Sequence, residues 1–144
     1  MSESIVPRIT VVTLGVGDLE RSVAFYRDGF GWASEGIIGT EFPDGAVAFF
    51  TLAGGLRLAL WPRESLARDA GVAQSAPSPT ELSLGYNVTA IGEVDRVFSA
   101  AVAAGATVTK EPAPTFWGGY AGYFQDPDWH LWEVVWNPQW ADPD

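Results

Sequence analysis

The sequence contains no cysteine, a single histidine and few basic residues. Without cysteine the chain has no disulfide framework, no thiol nucleophile and no cysteine metal site. It carries 18 acidic and 8 basic residues, and the net charge of -10 disfavours nucleic acid and anionic membranes as partners. No apolar run approaches the roughly 20 residues that a membrane helix needs. Since the start, Met1 to Ser4, also lacks signal-peptide features, we expect a cytoplasmic protein.

The chain has the composition of an ordinary soluble protein, with 47% hydrophobic residues, and its 144 residues suit one domain with a sizeable core. Tryptophan is in excess, and several of the seven lie near the end of the chain. There, an Asp126-Pro127-Asp128-Trp129 turn precedes an alternating apolar strand, His130–Trp136. Glu133 lies in the middle of this strand. Because an unpaired buried charge is costly, Glu133 must have a partner or face an opening.

The same order of predicted elements occurs twice along the chain. Residues 8–61 show a strand, a helix and three further strands, residues 62–80 form a linker, and residues 81–138 repeat the order. A repeated unit of this kind predicts two similar curled sheets that pack together. We therefore predict an α+β fold in which two tandem βαβββ modules, within one domain of residues 1–144, form a cavity.

The helices of the two modules are predicted from their apolar spacing and their end signals. The first covers Leu19–Asp28 after an Asp18 cap, and the second covers Glu93–Ala104 before Gly105. A strand is predicted at about Trp32–Ile38. The repeat places Ala59 in the first module where Glu133 stands in the second.

Three motifs together resemble those of a known group of proteins. They are the segments Leu14–Tyr26, Ala103–Ala106 and Asp126–Glu133. On these residues the chain resembles the vicinal oxygen chelate superfamily, the glyoxalase, bleomycin-resistance and extradiol-dioxygenase group. The motifs consist mainly of cap, core and turn residues, so they are specific for the fold and weak for function.

The resemblance implies four metal-ligand positions on the first and last strands of the two modules. In this sequence they are occupied by Val11, Ala59, Ser83 and Glu133, and the internal repeat pairs them in the same way. Only Glu133 is a good ligand, whereas a divalent cation needs several fixed carboxylates or imidazoles. His130 falls on the opposite strand face from Glu133, and we interpret it as structural. We therefore expect no metal and no other cofactor.

The predicted binding site leaves two roles open for Glu133, which either contacts a ligand or bonds structurally to Arg57 or to a tyrosine hydroxyl. The aromatic residues of the loop Phe116–Tyr120 either cover the cavity mouth or pack on a dimer partner. The expected ligand-binding residues are Val11, Thr13, Arg57, Ala59, Trp61, Ser83, Asn87, Trp117, Tyr120 and Glu133, with Gly85, Leu131 and Val135 in the cavity wall. No catalytic residue is assigned.

The sequence favours a homodimeric, metal-free binding protein of the bleomycin-resistance type, which sequesters a cationic or aromatic small molecule. The alternative is an enzyme, namely a glyoxalase-like lyase, isomerase, epimerase or dioxygenase. Val11, Ala59 and Ser83 count against metal catalysis, whereas a metal-free reaction with Glu133 as general base stays open. A structural or interaction module is favoured only if side chains fill the cavity. The sequence does not decide whether the cavity lies within one chain or across the dimer.

Overall fold

The computed structural model describes residues 4–140. The start of the segment Met1 to Ser4, in which we expect no signal peptide, lies outside the described residues. Seven strands form within the described range. They are β1 Val11–Val16, β2 Ala48–Thr51, β3 Arg57–Pro62, β4 Ser83–Val88, β5 Thr107–Pro114, β6 Tyr120–Gln125 and β7 Leu131–Trp136. The α-helices there are α1 Leu19–Val23, α2 Arg63–Ala70 and α3 Ile91–Ala104, and α1 continues into a π-helical segment, Ala24–Gly29.

The strands form two separate sheets, which do not close into a barrel. The first has the order β1-β3-β2 and the second the order β4-β7-β6-β5. In each sheet the pair at one edge is parallel, β1 with β3 and β4 with β7, and the remaining pairs are antiparallel. Thr13 lies opposite Ala59 in the first sheet, just as Gly85 lies opposite Glu133 in the second. The α+β class predicted from the sequence is confirmed.

The helix ends follow local side-chain and backbone chemistry. The Asp18 carboxylate accepts a hydrogen bond from the backbone nitrogen of Arg21 at 3.1 Å, which satisfies one free donor at the start of α1. Gly105 ends α3 with a φ of 107°, a left-handed conformation that glycine adopts without the clash of a Cβ atom. Within the predicted linker, α2 forms and ends at Gly71 in the same conformation.

The strand predicted at Trp32–Ile38 does not form, and only Ile38 makes a β-bridge, to Val47. Two features of the segment explain this. Gly36 has a φ of 86°, which interrupts an extended backbone. Trp32 turns inward and stacks on Tyr26, with ring centroids 5.5 Å apart. The first sheet consequently has three strands, whereas the second has four.

Both modules contribute to one hydrophobic core. Tyr26 is fully buried between the sheets, where it packs against Phe50 of the first and Trp132 of the second. Phe98 of α3 packs edge-on against Phe124 of the second sheet. We call these the inner faces of the sheets, and the opposite faces are the outer faces. No helix within residues 4–140 has the length and apolarity to cross a membrane.

Candidate functional site

The outer face of the second sheet presents Glu133 beside an aromatic hydroxyl. Glu133 on β7 is paired across the antiparallel ladder with Tyr123 on β6, and both side chains are half-buried. Directly paired residues on neighbouring strands point to the same face of a sheet. Burial, together with the nearby Glu133 carboxylate, raises the pKa of the Tyr123 phenol. The Tyr123 phenol therefore keeps its proton at neutral pH.

Tyr123 is the neighbour of Glu133 that sequence reasoning did not name. A tyrosine hydroxyl was one of the partners expected for Glu133, and the strand register pairs Tyr123 with it. The available signal was the turn around Asp126, because a tight turn fixes which residues of β6 and β7 lie opposite each other. The other proposed partner, Arg57, is exposed and forms no salt bridge in the described part of the chain.

Glu133 also lies beside free space on its other side. Its partner on β4 is Gly85, and a Cβ atom added there would meet only the Asn87 side-chain oxygen, at 3.7 Å. Ser83, two residues earlier on the same face, is exposed. The outer face thus has a shallow depression with small residues on β4 and the Glu133–Tyr123 pair beside it.

The outer face of the first sheet carries Val11, Thr13, Arg57, Ala59 and Trp61, as strand alternation predicts. It differs from the second sheet in chemistry, because it has no carboxylate at the position of Ala59. Val11 is 43% exposed, and Trp61 donates its indole N–H to the Asp44 carbonyl oxygen at 2.9 Å. This face is therefore mainly apolar and partly open.

The ten predicted binding residues do not share any of three clefts among residues 4–140. Thr13 lines a cleft of about 290 Å³, whereas Asn87 lines a different one of about 680 Å³. None of the other eight lines these clefts. The common cavity expected between the two modules is therefore not one of these three clefts.

The loop before β6 places its two aromatic residues differently. Trp117 is 39% exposed, and its ring folds back over Gly119 of its own turn. The Tyr120 hydroxyl donates to the Asp95 carboxylate on α3 at 3.0 Å. Tyr120 therefore lies on the inner, helix-bearing side of the sheet and not on the face of Glu133. The expectation that it covers the mouth of a site at Glu133 is corrected, because strand alternation puts residues 120 and 123 on opposite faces.

The four positions at which the superfamily resemblance implies a metal do not fit one. Val11 and Ala59 have no donor atom, Ser83 offers a hydroxyl, and Glu133 is the one carboxylate. In residues 4–140 no group of three or more histidine or acidic side chains is placed to hold a metal ion. Divalent cations in proteins require more anionic or imidazole ligands than this set provides.

The turn before β7 joins the two modules through buried hydrogen bonds. The Asp126 carboxylate accepts from the Tyr26 hydroxyl at 2.6 Å, from the backbone nitrogens of Asp128 and His130 at 2.9 Å, and from His130 Nδ1 at 2.9 Å. The Asp128 carboxylate accepts from the backbone nitrogen of Gly17 at 2.8 Å. Burial raises the pKa of Asp126, but bonds from His130 and Tyr26 outweigh it, so that this pKa lies below its ordinary value.

The same turn explains the local roles of His130 and Trp129. His130 bonds to Asp126 through both its backbone and its ring, so it caps the turn, and its side chain lies apart from the Glu133 face. Trp129 has a φ of 71°, a left-handed conformation that is unusual for a bulky residue. Its side chain is exposed, and its carbonyl oxygen accepts a bond from Gln125 at 3.4 Å.

Comparison with known proteins agrees with the architecture. The model of the Glyoxalase/Bleomycin resistance protein/Dioxygenase superfamily matches residues 8–134. The chain belongs to this superfamily, which confirms the resemblance found in the sequence. A search of curated proteins gave no match.

Several solved structures have the same fold. A glyoxalase-related enzyme from Fulvimarina pelagi is 37% identical, with a TM-score of 0.79 and coverage of 92% of this chain and 90% of that one. A glyoxalase/bleomycin resistance protein/dioxygenase from Nocardioides is 26% identical, with a TM-score of 0.75 and coverage of 99% and 91%. Lactoylglutathione lyase from Agrobacterium tumefaciens is 25% identical, with a TM-score of 0.66 and coverage of 92% and 96%.

Proposed function

We propose that this protein binds and sequesters a small molecule on the outer face of the second sheet, without a metal. The observation that carries the proposal is the half-buried Glu133, which is paired with Tyr123 across the ladder on one side and open to free space over Gly85 on the other. One phenol leaves further acceptor capacity on the carboxylate. Glu133 is therefore suited to bind a cationic group or another hydrogen-bond donor.

The proposed ligand is cationic and partly aromatic. Attraction between a carboxylate and a cation is stronger at a half-buried position than in open water, since the effective dielectric constant is lower. The Tyr123 ring supplies an aromatic surface next to this charge. The net charge of -10 would further favour the approach of a cation over that of an anion.

The proposal includes a homodimer in which a second copy covers the outer faces. Phe49, paired with Ala59, lies on the outer face of the first sheet and is 41% exposed, as is Val11 at 43%. Large apolar side chains that remain exposed on one face of a sheet are a feature of interaction surfaces. A second copy would bury them and turn the depression at Glu133 into a cavity. A cytoplasmic location stays a prediction from the sequence.

A second candidate function is a metal-free lyase or isomerase reaction. The pairing of Glu133 with Tyr123 favours it, because a carboxylate and a protonated phenol can serve as base and acid. The 37% identical structure from Fulvimarina pelagi is described as that of a glyoxalase-related enzyme. In this scheme Glu133 would take a proton from carbon next to a carbonyl, and Tyr123 would donate a hydrogen bond to the carbonyl oxygen.

Ligand affinity in a charge-neutral variant tests the binding proposal. Aromatic ammonium compounds and their neutral isosteres are titrated while tryptophan fluorescence is recorded. We expect Glu133→Gln to weaken binding of the ammonium compounds about 10-fold and to leave the isosteres unchanged, because one lost ionic contact costs about 1.4 kcal/mol. Glu41→Gln, which removes the same charge from an exposed loop, is the control. Equal losses in the two variants would contradict the role of Glu133.

A further inference from the structure

A second cleft, which we call the linker cleft, lies apart from Glu133 and Tyr123. It is an open cleft bordered by β1, α2, residues 72–79, the start of β4 and the turn before β7, and its volume is about 290 Å³. Most of its wall is apolar. The apolar side chains include Leu66, Val72, Pro77, Leu82, Leu84 and Leu131.

His130 supplies the linker cleft with an oriented polar atom. Its Nδ1 lies 2.9 Å from the Asp126 carboxylate, whose side chain is 0% exposed, and the His130 side chain is 19% exposed. The Asp126 carboxylate only accepts hydrogen bonds, so the His130 ring donates to it from Nδ1. This leaves Nε2 as the ring nitrogen that can bond to a ligand.

Nε2 of His130 is available to a ligand. It has no hydrogen-bond partner among residues 4–140. It is also not among the side-chain atoms of this range that are both buried and without a partner. An atom that meets both conditions is accessible from outside the protein. His130 is one of the residues that line the linker cleft.

The charges around the linker cleft favour an uncharged ligand. Arg63 also lines it, but its Nη2 donates to the Gly15 carbonyl oxygen at 2.9 Å and lies 3.9 Å from the Asp128 carboxylate. His130 is likewise paired with Asp126. Each cationic or titratable base therefore has a carboxylate beside it, and an anion would gain little attraction.

We propose that the linker cleft binds a small apolar molecule that carries one hydroxyl group, with phenols as the chemical class. The hydroxyl, which can both donate and accept, forms a hydrogen bond with Nε2 of His130, and the ring contacts the apolar wall. The volume of about 290 Å³ lies at the lower end of the range for small-molecule sites, roughly 300–1,000 Å³, and this suits a single substituted ring. The inference does not depend on the function proposed for Glu133.

The test compares 4-methylphenol with toluene, which has the same ring and methyl group but no hydroxyl. Each is titrated into the full chain while the ring ¹⁵N signals of His130 are followed by NMR. We expect saturable binding of 4-methylphenol, about 3- to 10-fold tighter than that of toluene, since one hydrogen bond contributes about 0.5–1.5 kcal/mol. We also expect only 4-methylphenol to shift the Nε2 signal.

Two variants complete the test. His130→Asn keeps a side-chain N–H for Asp126 but removes Nε2, so 4-methylphenol should bind this variant no better than toluene. Val72→Trp places a large ring in the linker cleft from an exposed position and should abolish binding of both compounds. The proposal is overturned if neither compound binds or if the two bind equally to the unmodified protein. An unshifted Nε2 signal in the unmodified protein would also overturn it, even if His130→Asn failed to fold.

Discussion

Removal of the Tyr26 hydroxyl tests how firmly the buried bonds of the Asp126 turn hold the two modules together. In Tyr26→Phe the Asp126 carboxylate loses a 2.6 Å hydrogen bond, and the indole N–H of Trp132 loses its acceptor at 3.0 Å. A hydrogen bond to a charged group contributes about 1.5–3 kcal/mol, and an unsatisfied buried donor costs about 1–3 kcal/mol. Since these values overlap in part, we expect the free energy of unfolding to fall by about 3 kcal/mol.

Urea denaturation measures this loss, and a thermal melt should show a decrease in Tm of roughly 6–12 °C for a protein of this size. Tyr120→Phe is the matched control, because it also removes a phenol that donates to a carboxylate, here Asp95 at 3.0 Å in an exposed position. An exposed bond of this kind should cost less than about 1 kcal/mol. If the two variants lose the same stability, or if Tyr26→Phe loses less than 1 kcal/mol, the buried network does not act as described.

Three further predictions concern pH, backbone conformation and assembly. Because the pKa of Asp126 is lowered in the folded protein, its contribution to stability is present above the ordinary aspartate pKa of about 4 and is lost as the pH falls through the folded value. Asp126→Asn should therefore make the free energy of unfolding less dependent on pH in this acidic range, as measured by urea denaturation. An unchanged pH dependence would contradict this role of Asp126. Gly105→Ala forces a Cβ atom onto a residue with a φ of 107° and should lower the free energy of unfolding by about 1 kcal/mol in the same assay. The control Gly92→Ala, within α3 at a position with open space, should be neutral or stabilising. Equal effects of the two variants would contradict the role of the left-handed conformation at Gly105. Phe49→Glu should shift the protein from dimer to monomer in analytical ultracentrifugation, while an unmodified protein that is monomeric at all concentrations would refute the dimer proposal.

Strand alternation was sufficient to predict which residues share a face with Glu133. The sequence pattern put Ser83, Gly85 and Asn87 on one face of β4, and the register confirms that Gly85 lies opposite Glu133. The tyrosine partner was harder to identify. Recognising Tyr123 required the exact pairing of β6 with β7 across a turn whose conformation depends on the buried Asp126.

In the segment after the first helix, tertiary packing overrides the strand that the local sequence pattern predicts. Trp32–Ile38 has strand-like residues, but in the structure the Trp32 ring lies in the aromatic cluster around Tyr26 and the segment forms no strand. The common cavity predicted between the modules is likewise not among the three clefts described above. Periodicity identifies the outer faces correctly, whereas the way in which two modules pack depends on long-range contacts such as that between Tyr26 and Asp126.

The most direct test of the proposed function locates a bound ligand by NMR. The aromatic ammonium compound that binds most tightly is titrated into ¹⁵N-labelled protein, and the backbone amide shifts are mapped onto the sequence. We expect saturable shifts centred on Gly85, Tyr123 and Glu133, where free space adjoins the carboxylate. Shifts centred on Val72 and His130 would place the ligand in the linker cleft instead. That result, or the absence of saturable shifts near Gly85, would contradict a binding site at Glu133.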